Sequence, residues 1–193
     1  FVSPMFTSLR DESLRRRAGA EMEHVMISMG GVDAQDATSA VLRCLGVSRP
    51  ASLREVSVIM GRHAPHLASV RTVAASLPLP VEIAVDVTDM AKRMARADLA
   101  VGGAGVTAWE RCSLGLPSIT VVLAENQRNG ARALGEAGAA LVVEGVSELT
   151  AQLAEHFAAM EAEELRGRIS RASANLVDAQ GLQRVCDELE KLS

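Results

Sequence analysis

Two glycine turns and one glutamate are the residues of this chain best suited to chemistry. The first turn is Ser28-Met29-Gly30-Gly31-Val32-Asp33. Paired glycines after an apolar run allow positive φ and a close approach of backbone to ligand, and a helix starting near Asp36-Ala37-Thr38 would aim its N–H groups at a phosphate. A tight strand–helix turn with no ligand reads from the same residues. The second turn is richer, Gly102-Gly103-Ala104-Gly105-Val106-Thr107, and it too precedes a helical stretch. Three glycines in four positions suit an anion, and Thr107 adds a hydroxyl. Glu110 is expected on the first turn of that helix, where the helix dipole favours a carboxylate. There it can accept two hydrogen bonds from a vicinal diol such as a ribose, or stand as a helix N-terminal charge without a ligand.

A third polar group, Glu125-Asn126-Gln127-Arg128-Asn129, arrives together after a further apolar run. Asn126 is expected to cap the helix that follows, while Gln127 and Asn129 are placed to reach a ligand. Gly103-Ala104-Gly105-Val106-Thr107-Ala108 also matches the dinucleotide pattern G-x-G-x-x-G/A, with Glu125 at the fingerprint spacing of 20 residues beyond Gly105. That match keeps open a nicotinamide-binding domain of an oxidoreductase, although the pattern follows the fourth predicted strand rather than the first. His63 and His66 have metal-like spacing, but no third ligand is near and Pro65 interrupts the local helix. Their expected role is ligand contact or plain exposure, and His24 and His156 read as structural. Arg15-Arg16-Arg17 reads as a solvated helix face.

The elements that must position these loops follow from hydropathy. Six short, β-branched, nearly continuous apolar runs predict strands at 24–28, 56–60, 81–85, 98–101, 118–122 and 140–143, each covered on both faces. Amphipathic stretches at 36–45, 65–76, 88–97, 107–114 and 126–137 alternate with them. This βαβα order predicts a six-stranded parallel sheet in a three-layer, Rossmann-like α/β sandwich. Three helices close the chain, at 147–160, 161–176 and 178–192. We expect a single nucleotide-sugar-binding domain over 1–193: a leading helix in 1–20, a Rossmann-like core in 21–146 and C-terminal helices in 147–193. In such a sheet, ligands bind beyond the carboxyl ends of the strands.

Composition narrows the function. The 193 residues are 48% hydrophobic and 23% charged, as in ordinary globular proteins. A net charge of −4 offers no footprint for nucleic acid, and 2% aromatic residues leave little for base stacking or sugar stacking. No apolar run has the ~18–20 residues a membrane span needs, and the start carries no signal-peptide pattern. The first residue is Phe1, so a fragment or trimmed product is expected. Cys44, Cys112 and Cys186 are odd in number and far apart, and read as three buried thiols in a reducing cytoplasm.

The run from Ala97 to Ser118, continuing to Ala124-Glu125-Asn126-Gln127, resembles the nucleotide-binding half of UDP-2,4-diacetamido-2,4,6-trideoxy-β-L-altropyranose hydrolases of pseudaminic acid biosynthesis. Ile27 to Asp33 resembles their first C-domain loop, Leu176 to Val185 their terminal-helix motif, and Ser3-Pro4-Met5-Phe6 with Arg10 the segment leading in. More broadly, the chain resembles the C-terminal domain of GT-B glycosyltransferases. The resemblance implies two Rossmann-like domains with UDP or a UDP-sugar between them, and neither cofactor nor metal. It implies that Glu110 takes the ribose hydroxyls and that Gly103, Ala104, Gly105, Val106 and Thr107 offer N–H groups to the phosphates. Ser28, Met29, Gly30 and Gly31 would lie by the diphosphate or sugar. The segment Asp86 to Met90, Asp89 and Met90 included, would flank the uracil, and Asn126 and Gln127 would face the sugar. In that family the general-base histidine lies in a separate N-terminal domain, and none of the four histidines here matches it. An oligomer is compatible with this reading, as is a degenerate, non-catalytic domain acting in assembly.

Overall fold

A computed structural model describes residues 2–191. Its six strands are β1 (His24–Ser28), β2 (Glu55–Met60), β3 (Val81–Val85), β4 (Leu99–Gly103), β5 (Ser118–Val121) and β6 (Leu141–Val143). All neighbours pair in parallel, in the order β3-β2-β1-β4-β5-β6. The order reverses between β1 and β4, where Ser28 stands in register with Gly102. This is the place in a doubly wound sheet where ligands lodge, because the crossovers diverge there and leave a crevice. The two glycine turns leave these two strands.

The four central strands, β1, β2, β4 and β5, are buried on both faces because each face meets its own helical layer. The edge strands β3 and β6, expected to be covered likewise, are only part-buried, and β3 exposes Glu82. Val25 and Ile27 of β1, Val56 and Val58 of β2, and Leu99 and Val101 of β4 join one core. That core is closed by α2 (Ala37–Val47), α3 (Leu67–Ala75) and α7 (Val146–Met160). The intervening Met26, Ile59 and Ala100 point the other way, onto Phe6 of α1 (Pro4–Arg17) and Met94 of α4 (Met90–Arg96). The period of two is thus visible in which core each residue enters. On that second face lie also α5 (Val106–Ser113) and α6 (Arg128–Glu136), which pack around Ala108, Cys112 and Leu134. Helix α8 (Glu163–Leu176) contacts α7, α5 and α1, and α9 (Gly181–Glu190) follows it. The predicted last helix runs on to Leu192, which lies outside the described residues.

Two expectations need correction here. The run Arg15–Arg17 is a solvated face only in part: Arg15 and Arg16 are exposed, Arg16 pairing with Asp98 at 2.6 Å, but Arg17 is buried, donating to the carbonyls of Met94 and Ala97. Arg10, on the same helix, donates to the carbonyls of Ala174, Val177 and Ser113. Helix α1 is therefore fastened by guanidinium groups seated at the C-terminal ends of α4, α8 and α5, where unpaired carbonyls and the helix dipole welcome a cation. The cysteines differ too. Cys112 is buried and its thiol pushed up to about 11 by that burial, but Cys44 is half-buried and Cys186 exposed. All three lie on helices, yet no residue of α9 is buried, so helical periodicity did not mean burial for Cys186. No helix among the described residues is long and apolar enough to cross a membrane.

Candidate functional site

Four loops at the carboxyl edge of the sheet are tied into one rim. The β1 turn abuts the β2 turn so closely that a Cβ on Gly61 would stand 2.3 Å from the Gly31 carbonyl oxygen. It meets β4 equally closely: a Cβ on Gly102 would stand 2.7 Å from the Ser28 carbonyl oxygen. Only glycine satisfies either approach. His66 adds a ring N–H bond to the Ala34 carbonyl at 3.2 Å, and Gln35 donates its amide to the Leu123 carbonyl of the β5 loop at 2.9 Å. Further out, Arg62 of the β2 loop pairs with Asp86 of the β3 loop.

The two helix ends behind this rim differ. At α2, the buried Asp33 carboxylate accepts the N–H groups of Ala37 and Thr38 at 3.0 and 2.9 Å. The donors that the sequence offers to a phosphate are thus already taken by the protein. Among the described residues no side chain caps α5, and the N–H groups of Gly105, Val106 and Thr107 stand at its head without a partner. Ala104 is different: its N–H donates to the Val121 carbonyl at 3.2 Å and is unavailable to a ligand. Gly103 lies within β4, so the donors at this turn narrow to its last three residues.

Glu110 is the fifth residue of α5, just past the first turn on which it is expected. It is half-buried, and the loss of water around it pushes its carboxyl above the usual range, with Arg111 opposing in part. No described residue donates a hydrogen bond to its carboxylate. It lines a cavity of about 400 Å³ with Val106, Trp109, Val177, Asp178 and Arg184. Arg184 is engaged there by Asp178 at 2.6 and 3.1 Å, and that pairing holds the Asp178 carboxyl down to about 2. An acceptor half out of water, with no donor of its own, suits a ligand that brings hydroxyl groups.

Of the other predicted residues, Ser28 and Met29 are buried, and the Met29 side chain belongs to the core, so only their backbone can meet a ligand. Gly30, at φ 87°, and Gly31 are exposed on the rim. Asp89 opens α4 and pairs with Arg93 at 2.8 Å, which lowers its carboxyl; Met90 packs beside the second core. Asn126 is exposed and caps nothing, because a 3-10 turn, Glu125–Gln127, precedes α6. Gln127 accepts the Leu123 N–H at 3.1 Å through its amide oxygen and lies beside Gly105. Glu125 pairs with Arg128.

Arg111 went unnoticed in the sequence, and the structure places it directly beneath the β4 turn. It is 2% exposed. Its guanidinium donates to the Gly103 carbonyl at 3.0 Å and to the hydroxyls of Thr120 and Thr107 at 3.3 and 3.5 Å. The available signal was its spacing: Ala108, Arg111 and Cys112 share the inward face of α5.

Residues 24–188 match the model of the glycosyltransferase family 28 C-terminal domain. The chain belongs to this family. It is 24% identical over 194 residues to the spore coat polysaccharide biosynthesis protein SpsG of Bacillus subtilis (strain 168), covering 99% of this chain and 56% of that protein. It is 36% identical over 118 residues to a UDP-N-acetylglucosamine–N-acetylmuramyl-(pentapeptide) pyrophosphoryl-undecaprenol N-acetylglucosamine transferase of Methylibium petroleiphilum, covering 58% of this chain and 32% of that one. Its fold is that of MurG from Acinetobacter baumannii: the crystal structure superposes with a TM-score of 0.72 at 20% identity, over 96% of this chain and 55% of the other. The chain spans about half the length of SpsG and of MurG. Family membership favours a GT-B C-terminal domain over the nicotinamide-binding and non-catalytic alternatives.

Proposed function

We propose that this chain is the UDP-sugar-binding half of a nucleotide-sugar enzyme. The single observation that carries the reading is the uncapped head of α5 at the reversal point of the sheet, with an unpartnered carboxylate one turn behind it. In this reading Gly105, Val106 and Thr107 donate N–H groups to the diphosphate, and Glu110 accepts both ribose hydroxyls. Gly30 and Gly31, with the backbone of Ser28 and Met29, border the diphosphate or sugar. Asp89 and Met90 flank the uracil, and Asn126 and Gln127 face the sugar.

The reaction class follows from what such a site does for charge. When an anomeric carbon is attacked, its bond to the diphosphate oxygen breaks and UDP leaves with the electron pair. Negative charge then grows on the diphosphate, and fixed N–H dipoles stabilise it without having to reorganise. The attacking group must lose a proton to a base, and that base is assigned to a separate N-terminal domain. With water as the attacking group the enzyme is a hydrolase. The sequence run from Ala97 to Gln127 supports a hydrolase that releases UDP from a diacetamido-trideoxy hexose in pseudaminic acid biosynthesis. With a sugar hydroxyl it is a glycosyltransferase of the same architecture.

Calorimetric titration with UDP and with NADH tests the binding claim. UDP is expected to bind and NADH not to bind, and Glu110→Ala is expected to weaken UDP at least about tenfold, the cost of a charge-assisted hydrogen-bond pair. Binding of NADH without UDP would make the chain an oxidoreductase domain instead.

A further inference from the structure

Three arginines are buried in this chain, and they are not placed alike. Arg17 sits at the C-terminal end of α4, donating to the carbonyls of Met94 and Ala97. Arg166 sits at the C-terminal end of α7, donating to the carbonyls of Met160 and Glu161 at 2.6 and 2.8 Å. Both occupy the end of a helix that attracts a cation. Arg111 does the opposite. Its side chain runs back along α5 towards the N-terminus, to Thr107 and Gly103, so its charge adds to the positive end of the helix. Its partners are neutral oxygens, and its Nε, also buried, has no partner among the described residues. The ionisable neighbours whose charge reaches it are its sequence neighbours, half-buried Glu110 and the Cys112 thiol.

A fully desolvated cation held against a helix N-terminus is costly unless an anion completes the arrangement. From this we infer that Arg111 is a positioning residue for a bound diphosphate: it presents positive charge from beneath the β4 turn and fixes the Gly103 carbonyl inward. The inference rests on the UDP reading above, but its chemistry is that of a pyrophosphate group. The ligand then adds a counterion to the partial compensation that Glu110 gives, and selectivity for two phosphates over one comes from a buried charge that never touches the ligand. Burial lowers the guanidinium to about 10, with Cys112 and Glu110 opposing in part.

The test measures the affinity of UDP, UMP and inorganic pyrophosphate for the full chain and for Arg111→Lys, Arg111→Met and Thr120→Asp. Thr120→Asp leaves the guanidinium in place and neutralises it from β5, at the same nitrogen that donates to the Gly103 carbonyl. Arg111→Met and Thr120→Asp are each expected to weaken UDP and pyrophosphate about tenfold or more and UMP clearly less, with Arg111→Lys within about threefold of the parent. Equal losses for UDP and UMP, or a Lys variant as weak as Met, would show a merely structural arginine and overturn the inference. If Arg111→Met fails to fold, Thr120→Asp decides by the same comparison. Pyrophosphate binding that depends on Arg111, with no UDP binding, would overturn the uridine reading and leave this inference standing. Binding of neither by the parent chain would end both.

Discussion

The two strand–turn–helix units at the centre of the sheet began with the same promise and resolve it differently. Both β1–α2 and β4–α5 carry glycine turns, and both leave the strands where the sheet order reverses. In the first, the protein satisfies its own helix end: Asp33, in the left-handed region at φ 44°, folds its carboxylate over the N–H groups of Ala37 and Thr38. In the second, no side chain intervenes, and a buried guanidinium adds positive charge beneath. One turn is closed by an internal anion and the other is open to an external one. Glycine content alone does not distinguish them; the deciding feature is whether a carboxylate lies within reach of the first N–H groups.

The comparison can be broken most sharply by giving the second unit what the first has. Gly105 has φ −82°, which any residue adopts, and a Cβ there would meet only the Gln127 amide at 3.8 Å. Gly105→Asp therefore places a capping carboxylate at the head of α5 without strain. It is expected to raise stability by a few tenths of a kcal/mol, visible as a slightly higher Tm, and to weaken UDP binding at least about a hundredfold, because a fixed anion occupies the site. A variant that melts higher and still binds UDP would show that the ligand lies elsewhere. The converse change, Asp33→Ala, removes the cap and leaves alanine in the left-handed region. It should cost about 2–3 kcal/mol in urea unfolding while changing UDP affinity less than about threefold. A large loss of affinity in stable, folded Asp33→Ala would mean the first helix end takes part in binding after all.

The sequence was most informative where one physical rule acts alone. Near-continuous β-branched runs locate all six strands, because burial of the four central ones on both faces leaves no alternative pattern there, and βαβ alternation then dictates a parallel sheet. Glycine turns at strand ends are legible for the same reason: close approaches such as Gly61 to Gly31 and Gly102 to Ser28 admit no side chain. What could not be read was long-range pairing of polar groups. Arg17 looked solvated because its partners, the carbonyls of Met94 and Ala97, lie about 80 residues away. Asp33 stood in view, but that its carboxylate takes the α2 donors depends on a left-handed backbone at both Asp33 and Asp36. Arg111 was hidden by its charge, which suggests a surface, although its position on α5 is an inward one.

The smallest effect separates a carboxylate that awaits a ligand from one that serves the fold. Glu110 is half-buried and its carboxyl is raised by desolvation, so in the folded chain it holds its proton to a higher pH than in the unfolded chain. As pH rises through the ordinary carboxyl range, the unfolded state releases its proton first, and folding stability falls until the folded carboxyl also ionises. Above that point the deficit is constant. Glu110→Gln removes it, so the variant is expected to melt slightly above the parent at pH 7, by less than about 1 kcal/mol given solvent screening, and to match it at pH 3. The same substitution should reduce UDP affinity, since a neutral amide accepts less strongly from two hydroxyls. Stability and affinity would then move in opposite directions at one atom, as expected for a group strained by the absence of its ligand. A Gln variant less stable than the parent at pH 7 would instead make Glu110 a structural charge, and α5 would lose its claim to the ribose.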